Sequence, residues 1–492
     1  MPVQIKLWNH LSKRRQKQSW LLLILMILAS LSEIVSIGAV LPFLGALTAP
    51  EQVFQHQLMQ PLVQILELTE PNQLILPLTV VFILAVLMAG IIRLILLYAM
   101  IRLSYAMGAD LSINIYRRTL YQDYSIHVAR NSSEVINGII TKTTMVINEI
   151  IKPTLILISS MILLVGIMSA LFTINTTVAL VASIGFGFLY WGVVRYTHQQ
   201  ISENSQTVAE QSTQMIKSLQ EGLGGIRDVI IDGSQQFYCQ QYRNADLPFR
   251  QAAGNNRFIS ECPRYVMEAI GMTLIAGLAY LMNQQGGGVV ATIPVLGALA
   301  LGAQRLIPTI QHAYSAYTNI KGSKSSLEDV LSLLDQPLPS YVDQPHPIPT
   351  PFEKAIHLNK LSFRYTKDTP WVLKNIDLKI TKGSRVGLMG VTGSGKSTLF
   401  DIIMGLLSPT DGEFTIDDKP INAENRRSWQ VHIAHVPQNI YLTDSTIEEN
   451  IAFGIPREQI NQQQVENAAK QAQIAEQIEE WSDGYQTHVG ER

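Results

Sequence analysis

RVGLMGVTGSGKSTLFDIIMGLL, residues Arg385 to Leu407, runs from a short apolar segment through a glycine-rich turn into a stretch with apolar residues at helical spacing. Gly390, Gly395, Lys396 and Ser397 fit the pattern G-x-x-x-x-G-K-[ST], with Gly393 adding freedom inside the loop. RVGLMG is expected to form a short buried strand. Leu399, Phe400, Ile402, Ile403 and Leu406 are expected to share one face of the following helix. A triphosphate needs many hydrogen-bond donors at close range. Glycines let the backbone N–H groups from Gly390 through Thr392, Gly393, Ser394 and Gly395 wrap around it, and the helix beginning near Lys396, Ser397 and Thr398 adds a favourable dipole. Lys396 is expected to bridge the β- and γ-phosphates and the Ser397 hydroxyl to hold Mg²⁺, so ATP and Mg are the cofactors this pattern calls for.

The sequence upstream has a different character. A Pro-rich stretch, DQPLPSYVDQPHPIPTPF, places a linker at residues 336–352, with the loop-bearing region 353–492 beyond it. In the 492 residues, charged residues make up 15% and hydrophobic residues 47%; soluble domains average about 25% charged. From Gln18 to Ile92 there is no Lys or Arg. A formal net charge of −2 gives no sign of a nucleic-acid partner. Two cysteines, Cys239 and Cys262, are too few for a disulfide framework and suit a reducing compartment. The apolar run after the N-terminal basic residues is too long for a signal-peptide core.

Six segments are long and apolar enough to cross a bilayer: Trp20–Leu47, Leu74–Leu97, Pro153–Leu171, Thr177–Val194, Tyr265–Met282 and Val289–Ile310. The last two are rich in Gly and Ala, residues common where membrane helices pack closely. Lys6, Lys13, Arg14, Arg15 and Lys17 precede the first span, in a basic segment over residues 1–17. The connection Thr48–Gln73, FTINTT and NQQGGG carry no Lys or Arg, whereas the segments after the second and fourth spans are both long and basic. The bias predicts a multi-pass protein of the cytoplasmic membrane with both termini in the cytoplasm. Helical periodicity in Ile113–Tyr121 and Ser205–Leu219 predicts that membrane helices extend into the cytosol within a domain spanning residues 18–325. Their tips would lie near residues 121–131 and 219–227.

Six spans with long cytoplasmic extensions, a linker and then a phosphate loop resemble an ABC exporter half-transporter. The resemblance covers the whole chain. It implies an all-α six-helix transmembrane domain followed by an α/β nucleotide-binding domain. The segment LNKLSFRYTKDTPWVLKNIDLKITKGSRVGLMGVTGSGKST is similar to that domain, with Tyr365 in the place of the aromatic residue that stacks on adenine. In HIAHVPQNIYLTDSTIEENIAFG, Gln438 matches the Q-loop glutamine that contacts Mg²⁺ and the attacking water. Residues 121–131 and 219–227 match the coupling segments. The family also implies an LSGGQ-type signature, an apolar strand ending in Asp-Glu and a switch His beyond the phosphate loop. The sequence through Arg492 contains none of them; LSLLDQ, Leu331–Gln336, precedes the loop and cannot serve. The expectation is a C-terminally truncated chain whose nucleotide-binding domain stops within its helical part, grips ATP and does not hydrolyse it alone.

The segments RRTLYQDYSIHVARNSSEVINGI and LQEGLGGIRDVIIDGSQQFYCQQYRNADLPFRQAAGNNRFISECPRYVMEAIGM also resemble the bacterial branch that flips lipid-linked oligosaccharides. The resemblance implies an ATP-driven flippase or exporter of a lipid-anchored, pyrophosphate-linked saccharide. Six spans supply half of the usual pathway, so a second copy is the expected partner. Charged residues in spans are costly and mark candidate sites. Arg93, Arg264 and Arg305 lie in or beside the second, fifth and sixth spans, near the inner headgroup level. Facing a cavity, they would suit a phosphate or pyrophosphate group; otherwise they snorkel to the interface. Glu33, deeper in the first span, is either a pathway residue or a helix-packing partner. A multidrug or peptide exporter is the alternative within the class, and a non-hydrolysing ATP-binding membrane protein the alternative outside it.

Overall fold

The computed structural model describes the backbone of residues 3–490 except 58, 175, 285–287, 346 and 439, and leaves many side chains within 171–190 and 271–303 outside the description. The chain forms two units, Met1–Asp343 and Gln344–Arg492, with the boundary inside the expected linker.

The first unit is helical. Its long helices are α1 (Lys13–Thr48), α2 (Ile75–Leu120), α3 (Lys152–Ile174), α4 (Thr176–Gly224), α5 (Gln235–Gln284) and α6 (Gly288–Gly322), followed by the shorter α7 (Lys324–Leu334). Each of these long helices contains one of the apolar segments read from sequence, save that Leu74, the first residue of the second segment, lies in the turn just before α2. α2 has 46 residues and is therefore about 69 Å long, more than twice the thickness of a bilayer core. Its upper half exposes Leu76, Leu84, Leu87, Ile91 and Leu94, whereas Leu103, Met107, Leu111 and Ile115 below are buried against other helices. Large exposed apolar side chains in a continuous band face lipid; water would not tolerate so extensive a patch. Among the described residues, Lys13–Thr48, Pro71–Leu120 and Ser132–Ala170 are long and apolar enough to cross a membrane. The fourth to sixth spans contain many side chains outside the described residues, as do FTINTT and NQQGGG in part.

Small residues set the closest helix approaches. A Cβ on Gly166 of α3 would lie 2.6 Å from Ser30 Oγ and 2.9 Å from Ile34 Cδ1, both on α1. The Ser30 hydroxyl there donates to the Ile162 carbonyl at 3.3 Å. Hydrocarbon offers no hydrophobic drive between membrane helices, so close backbone contact supplies the cohesion. The tips beyond α2 and α4 carry short helices at Tyr124–Ala129 and Ile226–Ile231. The first part of the linker lies along the end of α2. Gln122 Nε2 donates to the Pro337 carbonyl at 2.9 Å, Arg118 donates to the Gln336 carbonyl, and Arg117 pairs with Asp343. In LSLLDQ, which superficially resembles an Asp-ending strand, Leu331–Leu334 form the last turn of α7 and Asp335 caps it, 2.9 Å from His10 Nε2.

The second unit is built on four antiparallel strands in the order β2-β1-β3-β4: β1 (Ala355–Phe363), β2 (Leu373–Thr381), β3 (Asp411–Ile416) and β4 (Lys419–Pro420). Ile356 and Leu358 of β1 sit opposite Ile380 and Leu378 on one side and Ile416 and Phe414 on the other. α8 (Lys396–Ile403) covers this sheet through Leu399 and Ile402, and Trp429 closes the core. Asp417, at the β3–β4 turn, accepts the N–H groups of Glu353, Lys354 and Ala355 at 2.6–2.8 Å and so fixes the start of β1. Those backbone donors, Glu353 foremost, hold its carboxyl below the usual carboxylate range. A second small core, Ile447, Ala469, Ala475 and Ile478, lies where β5 (Ser445–Thr446) pairs with β6 (His488–Val489).

Two local expectations are corrected. RVGLMG forms no strand, and its Val386 and Met389 are exposed rather than buried. Among the described residues no strand runs beside it to supply backbone partners, and without a ladder there is neither strand nor burial. Phe400 is exposed and off the face shared by Leu399, Ile402 and Ile403, because one residue turns the helix by about 100°. Leu406 lies beyond the end of α8, which stops at Ile403, is capped by Met404 and turns at Gly405 with φ +68°.

Candidate functional site

The phosphate loop is shaped by backbone conformations that side chains would obstruct. Gly393 has φ +81° and Gly395, the residue capping α8, has φ +89°; such left-handed values strain any residue with a Cβ. A Cβ on Gly395 would also lie 2.9 Å from Leu373 Cδ2 and 3.1 Å from the Val372 carbonyl. One on Gly390 would reach Ser394 Oγ at 2.8 Å. The loop therefore pulls α8 against the start of β2 and keeps a narrow cradle open.

The cradle offers donors. Leu399 N–H bonds the Gly395 carbonyl at 2.9 Å, the first such bond of α8. The N–H groups of Lys396, Ser397 and Thr398 lie in the turn before it, where a helix has no acceptors of its own. Lys396 Nζ donates to the carbonyls of Gly390 and Val391, each at 2.8 Å, and lies 3.4 Å from Ser394 Oγ. Its ammonium is thus parked across the loop by partial charges, which a phosphate oxygen would outcompete. Ser397 and Thr392 are exposed. The other end of α8 is anchored by Trp429 Nε1, which donates to the Ile403 carbonyl at 2.7 Å, and by Gln430 Nε2, which donates to the Gly405 carbonyl at 3.1 Å. Burial raises the Asp401 carboxyl above its usual range, with His435 opposing the shift.

Tyr365 follows β1 and stands beside the loop. Its hydroxyl lies 3.2 Å from Thr398 Oγ1, and its ring meets Phe363 edge-on, with centroids 5.1 Å apart. About half of the residue is exposed, enough for one ring face to receive a planar base. Gln438 is exposed in the segment before Thr443. That segment is stapled at its far end by Asn450, whose Oδ1 accepts from Thr443 N at 2.8 Å and whose Nδ2 donates to the Thr446 carbonyl at 3.0 Å. Lys396, Ser397, Thr398 and Tyr365 are therefore brought together, while Gln438 stands on its own loop. The phosphate loop thus presents backbone N–H groups, the Lys396 ammonium and the exposed Ser397 hydroxyl, groups of the kind that bind phosphate and its divalent cation.

The membrane unit holds a second polar site. Glu33 of α1 has a side chain only 3% exposed and lies between two cations. Arg93 Nη2 of α2 donates to its Oε2 at 2.5 Å, and Arg305 Nε of α6 lies 2.8 Å from its Oε1. A cavity of about 360 Å³ opens beside them, with Ser30, Ser159, Ser160, Gln304 and His312 in its wall. Arg264 does not line it: its guanidinium is paired along α5 with Glu268 at 2.8 Å. The described residues thus bring two of the three sequence-selected arginines together and add Glu33 as their shared counter-charge. The signal in the sequence was Glu33 itself, because a carboxylate inside a span needs a cation partner.

A polytopic helical domain joined to a phosphate-loop nucleotide domain defines an ATP-linked membrane protein. Residues 19–284 match the ABC transporter transmembrane region and residues 373–490 match the ABC transporter domain. The chain belongs to the ABC transporter family. It is 27% identical over 299 residues to an ATP-dependent lipid A-core flippase of Chromohalobacter salexigens, covering 61% of this chain and 51% of that protein. It is 28% identical over 339 residues to an uncharacterized ABC transporter ATP-binding protein of Bacillus subtilis, covering 67% of this chain and 56% of that one. The chain spans about half the length of these curated relatives. A solved bacterial Atm1-family ABC exporter with ATP bound shares the fold, with a TM-score of 0.72 at 19% identity over 98% of this chain and 80% of that one.

Proposed function

We propose that this chain is part of an ATP-driven exporter or flippase that moves a lipid-linked substrate carrying phosphate or pyrophosphate, such as a lipid-anchored saccharide, across the cytoplasmic membrane. The observation that carries the reading is the pair of arginines converging on one cavity at membrane depth, in a chain that also holds a phosphate loop. Guanidinium groups bind phosphate oxygens in pairs, which hydrophobic drugs do not require. The naming of several relatives as lipid A-core flippases supports a lipid cargo.

In this reading the N–H groups at the start of α8 and the Lys396 ammonium bind the phosphates, and Tyr365 supports the base. Ser397 and Gln438 would hold Mg²⁺, which when bound screens phosphate charge. The short helices at 124–129 and 226–231 belong to the segments that would relay nucleotide state to α2–α5. With no Asp-Glu strand after the phosphate loop, residues 1–492 alone bind ATP without hydrolysing it. A second copy completes the pathway, and the basic segments after the second and fourth spans support both termini lying inside.

The test is thermal unfolding of the chain in detergent. A ligand that binds only the folded state raises its stability. Polyprenyl pyrophosphate should raise the melting temperature, and the rise should vanish in Arg93→Gln/Arg305→Gln. Stabilisation by neutral or cationic drugs but not by the pyrophosphate lipid would replace this reading with a multidrug exporter. Steady phosphate release from Mg-ATP by the chain alone would contradict the absence of hydrolysis.

A further inference from the structure

Glu33 occupies the position where an anion would be expected to bind. Its side chain is 3% exposed, while those of Arg93 and Arg305 are 49% and 36% exposed and border the cavity. The two contacts are unequal. Arg93 makes an aligned hydrogen bond to Oε2. Arg305 Nε lies 2.8 Å from Oε1, yet Oε1 is buried and accepts no aligned hydrogen bond. Each guanidinium has five N–H donors, and the contact to Glu33 occupies a minority of them. The cluster of one carboxylate and two guanidinium groups carries one positive charge in excess, beside a mainly apolar cavity in which Ser30, Ser159, Ser160 and Gln304 are set.

We infer that Glu33 is an internal stand-in for the anionic group of the transported lipid, and that this group binds by displacing the carboxylate from Arg93 and Arg305. The inference rests on the proposed phosphorylated cargo. A carboxylate presents oxygens to guanidinium much as a phosphate does, so it can satisfy both arginines when no cargo is present. Glu33 thereby offsets part of the charge of the two arginines in the empty cavity. It also sets selectivity. A neutral headgroup gains nothing by entering, whereas a multiply charged one can replace the carboxylate both at Arg305, whose contact is not an aligned hydrogen bond, and at Arg93. Glu33 is therefore a specificity-determining residue, acting by competing with the ligand.

The experiment is equilibrium binding of polyprenyl pyrophosphate and of the uncharged polyprenol to the full chain in detergent, with the nucleotide site saturated by Mg-ADP. Glu33→Gln keeps the shape and removes the charge, and should bind the pyrophosphate lipid at least about tenfold tighter with polyprenol binding unchanged. Glu33→Asp, which keeps the charge but shortens its reach, should fall between the wild type and Glu33→Gln, and serves if Glu33→Gln does not fold. Pyrophosphate binding that weakens in Arg93→Gln but is unchanged or weaker in both Glu33 variants would overturn the stand-in role and leave the phosphorylated cargo standing. No pyrophosphate binding by any form would overturn both. Equal tightening for polyprenol would also overturn it, since the gain would then come from space and not from charge.

Discussion

Lys396 and the Arg93–Arg305 pair are both cations set beside a space that fits phosphate, but they are held by different means. Lys396 rests on two backbone carbonyls, Gly390 and Val391, a few residues away in the same loop. Arg93 of α2 and Arg305 of α6 rest on the full charge of Glu33 of α1, so that three separate helices meet in the cluster. Partial charges in an open loop give up a cation readily; a buried carboxylate does not. The nucleotide loop is thus set for frequent exchange, and the membrane cavity for admission only of a strongly charged group.

The largest effect should come from stripping the carboxylate of both partners. Arg93→Gln/Arg305→Gln leaves Glu33 buried and uncompensated, which should destabilise the membrane unit by about 3 kcal/mol or more. Adding Glu33→Gln should recover most of the loss, as read from thermal unfolding in detergent. A double variant as stable as the wild type would break the contrast, placing Glu33 in no tighter hold than Lys396.

Gly395→Ala should cost about 1–2 kcal/mol, because it forces a Cβ into left-handed backbone at a site where Leu373 Cδ2 already lies 2.9 Å away. It should also weaken ATP binding by lifting α8 away from β2. Gly254, in α5 with open space around it, is the control. Equal costs at the two positions, measured by denaturant unfolding, would show that the loop is not under the constraint described.

The contrast was unevenly legible in the sequence. The phosphate loop is written in eight consecutive residues, so spacing alone locates it, and helix α8 follows from the apolar residues behind it. RVGLMG reads as a strand for the same local reason. A strand, though, is a property of its neighbours, and among the described residues it has none. The membrane site is the opposite case. Arg93, Arg264 and Arg305 look alike in sequence, each a cation near the end of an apolar span. Only the packing of α1 against α2 and α6 distinguishes the two that share Glu33 from Arg264, which finds Glu268 one turn along its own helix. Pairing between distant helices leaves no periodic trace.

A smaller effect makes the role of backbone donors visible through pH. Asp417 is a carboxylate held by three N–H groups, much as the loop would hold phosphate. Its lowered pKa means that its contribution is fully present above the ordinary carboxylate value and is lost as pH falls through the lower folded value. Protection of the amides at the start of β1, measured as exchange relative to the intrinsic rate at the same pH, should fall over that acid range, and Asp417→Asn should lack it at every pH. Protection independent of both pH and substitution would remove this carboxylate as an anchor.

The most direct measurement is Mg-ATP binding to the full chain in detergent, compared with Lys396→Ala. The expected result is saturable binding that weakens about a hundredfold on substitution, close to 2.8 kcal/mol, with the membrane unit's unfolding unchanged. Equal affinity in the two proteins would contradict the assignment of the phosphate loop as the nucleotide site, and with it the coupling of this membrane domain to ATP.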